Sequence, residues 1–305
     1  MRIIKKIERN LHPKSVALVL ASGGARGVAH IGVIQELECR GYHIHSVSGS
    51  SIGAVVGGLY AAGKLDEYAD WLKDLSKIDV YRLLDFTLNL GFVKADKVFR
   101  EIKKFSGSWN IEDLQKDLTI IAVDIITREE VVFNTGDLYT AIRSSIAYPS
   151  VITPNKVGKK LMVDGGVINP IPINRVKRKK GDILIAVDLS ADIPYPKEKH
   201  NKKVFQSSHL MAYSKVKDII SRWKNDKKHG EEIRKNWSYF RLSEESLLTM
   251  HRQLSKLTLE LYPPDVLIPI SNECADLFDF YRSEELIEYG RIQASIALDK
   301  WEEKN

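Results

Sequence analysis

Ser51 sits at the centre of the stretch Gly49, Ser50, Ser51, Ile52, Gly53, a Gly-x-Ser-x-Gly pentapeptide. An apolar run interleaved with histidine, Tyr42 to Val47, precedes it, and an Ala/Gly/Val-rich run, Ala54 to Ala62, follows. That is the strand, sharp turn and helix order in which a serine hydroxyl is held out as a nucleophile. Gly49 and Gly53 remove side chains that would collide where the strand doubles back. The following helix aims its unpaired N–H groups at negative charge developing near Ser51. The pentapeptide alone is a weak signal, because a glycine-rich turn between a strand and a helix has the same outline.

The neighbouring elements strengthen it. Ser15 to Ala21 is a continuous apolar, β-favouring run, as expected of a strand buried on both faces of a parallel sheet. A glycine turn, Ser22 to Gly27, follows, and then Val28 to Arg40 carries Ile31, Ile34 and Leu37 at helical spacing. Two successive strand–helix units argue for an α/β sheet. Further on, Leu65 to Ile78, Ala95 to Phe105, Leu138 to Ala147 and Glu284 to Trp301 read as helices. Leu118 to Ile126, Glu130 to Asn134, Lys160 to Val163, Ile183 to Leu189 and Val266 to Ile270 read as strands. A third glycine turn, Asp164 to Gly166, follows the short strand Lys160 to Val163. Turns at the carboxyl ends of parallel strands share one sheet edge, where ligands bind. A nucleophile, a loop of exposed N–H groups and a carboxylate would then converge, which is the equipment of an acyl hydrolase.

The chain has 305 residues, 44% of them hydrophobic and 28% charged, with a formal net charge of +6. Such a composition fits an ordinary globular protein and tolerates an anionic partner without demanding one. Two distant cysteines, Cys39 and Cys274, make neither a zinc spacing nor a disulfide framework. Cys39 is expected to be a small buried hydrophobe on its helix. The basic start, Met1 to Lys14, precedes an apolar run too short for a signal peptide, and no stretch approaches the ~20 apolar residues that span a bilayer. The expected location is cytoplasmic or peripheral to a membrane. Pro194 to Arg241 is rich in Lys and Arg, and residues 210 to 224 have the pattern of a basic amphipathic helix. This segment reads as a solvated excursion or as a lid touching anionic lipid heads.

Taken together, these motifs resemble the patatin-like phospholipases, lipid acyl hydrolases of bacterial type with a Ser-Asp dyad. The resemblance rests on Ala21 to Gly27 (ASGGARG), Gly49 to Gly53 (GSSIG) and Asp164 to Gly166 (DGG), in the family's order and with similar spacing. Ala141 to Pro149 (AIRSSIAYP), Val167 to Ile173 (VINPIPI) and Pro264 to Ile268 (PDVLI) add to it. The match covers about residues 15 to 190 and 247 to 298, and leaves the basic insert of about 195 to 245 poorly covered. It implies a three-layer α/β/α fold with a mainly parallel central sheet, in one catalytic domain spanning 1 to 305 with the insert inside it. It also implies Ser51 as nucleophile, Asp164 as base, and backbone N–H groups of Gly23, Gly24, Ala25 or Arg26 as the oxyanion hole. Gly49, Gly53, Gly165 and Gly166 shape the two turns. Arg26 would either brace the glycine loop or place charge near a phosphate. Ser22 departs from the pattern, standing where the family often has a glycine.

Other readings of the residues stay open at this level. Asp124 and Asp188, near strand ends, are rival carboxylates, each better suited to capping. A histidine base would have to come from His30, His209, His229 or His251, which suit surface or packing roles better. The glycine loop lacks the first glycine of a dinucleotide fingerprint and the Gly-Lys-Ser/Thr of a P-loop, no cluster has metal-ligand spacing, and no nucleic-acid module surrounds the basic run. No cofactor, metal or nucleic-acid partner is therefore expected. The expected activity is hydrolysis of phospholipid or related lipid esters. A thioesterase or small-ester hydrolase, and a silent lipid- or membrane-binding protein, are the alternatives.

Overall fold

The computed structural model describes residues 14–84, 93–195 and 239–304. Residues 1–195 with 249–305 form one compact unit; of a second, 196–248, only the start of a helix is described. The basic segment 210 to 224, with His209 and His229, lies outside the described residues.

The first unit begins with β1 (Lys14–Leu20), whose Val16 to Leu20 are fully buried, as a central strand covered on both faces must be. A tight 3-10 turn, Gly24–Val28, leads into α1 (Ala29–Cys39). Then come β2 (Tyr42–Ser50), α2 (Ile52–Ala61), α3 (Leu65–Lys73), α4 (Lys77–Leu83) and α5 (Asp96–Ser106). β3 (Asp117–Asp124), β4 (Glu129–Phe133), α6 (Leu138–Ser145), β5 (Asn155–Val157), β6 (Lys160–Asp164) and β7 (Ile183–Ala191) complete the first stretch. After α7 (Tyr239–Leu261), β8 (Val266–Ser271) and α8 (Ser283–Lys304) return to the sheet.

Following hydrogen-bonded neighbours, the sheet runs β5-β6-β3-β2-β1-β7-β8, with β4 also on β3. The β1–β2, β2–β3, β1–β7 and β7–β8 pairs are parallel; β3–β4, β3–β6 and β5–β6 are antiparallel. β3 joins the two regions. Its residues 120–124 pair with β4, its residues 117–121 with β2, and its residues 122–124 with β6. A strand has two edges, and β4 occupies one of them. β2 and β6 therefore share the other edge, end to end. β2 runs up it to Ser50 opposite Ile121, and β6 runs down it to Asp164 opposite Ala122.

Helices flank this sheet. α1 and α8 pack backbone to backbone. A Cβ on Gly32 would lie 1.8 Å from the Ile287 carbonyl oxygen, and one on Gly290 would lie 2.0 Å from that of Ala29.

Two expectations need correction. The helix expected over Leu65 to Ile78 is two, because Ser76 forms a capping box with Asp79 and starts a new one. Cys39 is exposed at the last turn of α1 rather than buried, since Ile31, Ile34 and Leu37 already make up the apolar stripe; Cys274 is the buried thiol. The short strand β5 carries too few residues to show a period in the sequence. Among the described residues no helix is long and apolar enough to cross a membrane.

The closeness of α1 and α8 makes a prediction. Gly290→Val should lower the unfolding free energy by about 3 kcal/mol, the upper range for overpacking. An unchanged urea midpoint would show that the helices separate easily.

Candidate active site

Ser51 is the residue between β2 and α2. Its backbone sits at φ 55°, ψ −122°, outside the regions that L-residues favour. Conformations of this kind cost ~1–3 kcal/mol and persist only where the surroundings enforce them. Here the Ser51 N–H donates to Ser145 Oγ at 2.8 Å, and the Ser51 carbonyl accepts from Ala54 N at 2.9 Å. A Cβ on Gly49 would lie 2.4 Å from the Gly53 carbonyl oxygen, and one on Gly53 would lie 2.1 Å from that of Leu20. Both positions need glycine because backbone occupies the space a side chain would fill.

Asp164 ends β6 and is fully buried. Ser51 Oγ donates to its Oδ2 at 2.6 Å, while Oδ1 accepts the Gly166 N–H at 2.7 Å. The two residues are 113 positions apart in the chain and meet because β2 and β6 end at successive places along β3. Gly165 lets this turn approach the sheet, since a Cβ there would lie 2.3 Å from the Ile121 carbonyl oxygen. Burial raises the Asp164 pKa to about 7, against the opposing pull of the Ser51 and Gly166 hydrogen bonds.

The glycine loop after β1 is held at several points. Ser22 N–H donates to Pro170 O at 2.8 Å, and Ala25 N–H to Leu277 O at 3.1 Å. Arg26 folds back on its own loop, with Nε donating to Gly23 O at 3.0 Å and Nη1 to Asn272 O at 3.4 Å. Of the two roles open to Arg26, these bonds match bracing. Among the described residues, the Gly23 and Gly24 N–H groups have no hydrogen-bond acceptor, whereas the Ala25 N–H is already committed. Gly24 has φ +59°, and a Cβ there would press on Leu277. Ser22, the departure noted in the sequence, is buried beside the aspartate turn: its Oγ would lie 2.7 Å from a Cβ on Gly166.

The rival groups are engaged elsewhere. Asp124 Oδ1 accepts from the Ile126 and Leu161 N–H groups and so caps the end of β3, while Asp188 Oδ1 accepts from Ser190 N and Oγ inside β7, where its register with β8 shifts. His30 is buried and donates from Nε2 to Ala21 O at 2.9 Å, and burial lowers its pKa to about 4. His251 is also buried, and desolvation together with the Arg26 and Arg252 charges lowers it to about 4. No described histidine hydrogen-bonds to Ser51 or Asp164. Among the described residues no group of His, Cys, Asp or Glu could hold a metal ion. A polar cavity of about 540 Å³, lined in part by Glu112, Lys116 and Arg175, lies at the amino end of β3, away from Ser51.

One supporting device went unread in the sequence. Ser46, Ser48 and Ser50 alternate along β2, and their hydroxyls donate to the carbonyls of Lys177, Pro172 and Asn169 at 2.6, 2.8 and 2.7 Å. They fasten the segment after Asp164 along the strand that leads to Ser51. The period-two serines in an otherwise apolar strand were the available signal.

Comparison with known proteins places the chain in a family. The family model described as "Patatin-like phospholipase" matches residues 18–176. An uncharacterized NTE family protein of Mycobacterium bovis is 33% identical over 331 positions, covering 94% of this chain and 92% of that protein. Lysophospholipase NTE1 of Debaryomyces hansenii is 30% identical over 195 positions, covering 61% of this chain and 12% of its own length. The crystal structure of VipD from Legionella pneumophila aligns with a TM-score of 0.48 and 14% identity, covering 94% of this chain and 67% of VipD. The chain belongs to the patatin-like phospholipase family, whose members are lipid acyl hydrolases. The expected family, and the expected α/β fold with its mainly parallel sheet, are borne out.

The buried carboxylate has a thermodynamic consequence. An unfolded aspartate titrates near ~3.9, so from there to about pH 7 the folded chain keeps a proton that the unfolded chain has released. The associated stability is fully present below pH ~4 and is lost as pH rises through about 7. Asp164→Asn cannot ionise, and should raise the unfolding free energy at pH 8 by up to ~4 kcal/mol. The gain should vanish near pH 4, as denaturant unfolding at the two pH values would show.

Proposed function

We propose that the chain hydrolyses ester bonds of phospholipids or lysophospholipids through a Ser51–Asp164 dyad. The 2.6 Å hydrogen bond between the two side chains carries this reading. Ser51 Oγ attacks the ester carbonyl carbon and its proton passes to Asp164 Oδ2. The carbonyl oxygen becomes an oxyanion, for which the free N–H groups of Gly23 and Gly24 are the candidate donors. The tetrahedral intermediate collapses by breaking the ester C–O bond, and Asp164 returns its proton to the departing alkoxide. The product alcohol leaves, and an acyl group stays on Ser51. Water then attacks the acyl carbon, giving its proton to Asp164; the acyl C–Oγ bond breaks, Asp164 returns the proton to Ser51 Oγ, and the fatty acid leaves.

An aspartate of ordinary acidity would be a poor base for a serine hydroxyl. Desolvation strengthens it, and a pKa of about 7 leaves a working share of it ionised at neutral pH while making it a better proton acceptor. The lysophospholipase named among the relatives supports a single-chain lipid as one substrate. Contact of the basic insert with an anionic membrane is part of the same proposal.

Ser51→Ala and Asp164→Asn should each lower kcat at least ~1,000-fold on both a chromogenic acyl ester and phospholipid vesicles, with the fold retained. His30→Gln and His251→Gln should keep most activity. A folded histidine variant without activity would remove Asp164 from the base role. For the wild type, kcat/KM should fall as pH drops below about 7, since protonated Asp164 cannot accept the serine proton. A rate that is flat from pH 5 to 8 would count against an aspartate base.

A further inference from the structure

The antiparallel end of the sheet continues past the nucleophile. Asp164 lies opposite Ala122, and the β3–β6 pairing goes on to Asp124 and Met162. Ile125 N–H then donates to Leu161 O at 3.0 Å, so the pairing reaches the turn between β3 and β4. That turn stands three residues beyond Asp164, roughly 10 Å at ~3.3 Å per residue. The turn between β5 and β6 lies beside it, because β6 begins at Lys160. Two hairpin ends therefore project together beyond the candidate active site.

Their composition is unusual for exposed turns. Ile125 is 45% exposed and Ile126 63%, side by side at the projecting end. Arg128, Lys156, Lys159 and Lys160 are exposed around them. Across residues 125–129 and 156–160, these four cations face one acid, Glu129. Among the described residues none of the four forms an ion pair. Arg128 adopts φ +64°, which turns the chain tightly behind the isoleucines. An apolar point ringed by free cations matches a layer with anionic heads over an apolar interior.

We infer that these two hairpin ends form a docking tip for an anionic lipid surface, which presents Ser51 to the esters of that surface. The inference rests on the proposed function for its purpose, though not for the binding itself. Interfacial elements settle ~5–10 Å into the boundary between headgroups and acyl chains. A tip buried to that depth brings a serine roughly 10 Å behind it close to the headgroup level. A lipid then has to rise only slightly for its ester to meet Ser51. The charged ring sets the orientation, and the isoleucines supply the hold.

The test reads binding and hydrolysis separately. Binding is measured by co-sedimentation in a Ser51→Ala background, so that the vesicles stay intact. Vesicles of equal parts phosphatidylglycerol and phosphatidylcholine are compared with phosphatidylcholine alone. Replacing Ile125 and Ile126 by Ser should weaken binding to the mixed vesicles at least ~100-fold, since each lost apolar contact is worth about tenfold or more. Replacing Lys156, Lys159 and Lys160 by Gln should abolish the preference for the anionic vesicles. With Ser51 restored, both variants should hydrolyse a short soluble ester as the wild type does. The lysine variant changes only exposed side chains, and so decides the matter if the isoleucine variant fails to fold. An active esterase whose vesicle binding is untouched by both variants overturns the docking tip and leaves the hydrolase standing. Tip-dependent binding in a protein that cleaves no ester supports the tip and sinks the proposed function.

Discussion

The site depends on two strands meeting end to end along one edge of β3. β2 climbs that edge to Ser50 and β6 descends it to Asp164, at the neighbouring positions Ile121 and Ala122. Backbone hydrogen bonds to a shared strand thus set the separation of the two side chains. The remaining features act on the same point. The glycines at 49, 53 and 165 let three backbone segments close to within contact, and Ser145 holds the strained Ser51 from its N–H side. The serines along β2 fasten the segment after Asp164. What looks like a small dyad is the visible end of a large commitment of backbone.

Burial gives that arrangement its chemistry and its cost. A carboxylate accepting two hydrogen bonds would ordinarily titrate low, yet Asp164 is raised to about 7 because no water reaches it. The fold thus holds a charge where it is least comfortable, and the same discomfort makes the group basic. Sites that store strain in this way are stabilised by the structure around them, here the buried sheet and the tight α1–α8 contact.

Much of this was legible in the sequence. Continuous apolar runs revealed β1, β3 and β7, and three glycine turns marked where backbone must pass closely. Sequence could not show the end-to-end meeting of β2 and β6, because pairing partners are set by long-range register and not by local pattern. It could not show that the Ala25 N–H is taken by Leu277, since that partner comes from a distant loop. Cys39 misled because helical spacing marks a stripe, and a residue at the last turn can fall just off it. The alternating serines of β2 were readable as a period, but their acceptors were not.

The shared edge of β3 also works as a ruler. Among the described residues, the stretch of chain between Ser51 and Asp164 holds five α-helices and three strands besides β6, yet its length does not enter the distance between them. Loops strung along it could lengthen, shorten or acquire new attachments while the two side chains stayed in contact. One residue gained or lost inside β3 between its β2 and β6 pairings would separate them by a whole pleat. Length is free in this architecture, and register is not.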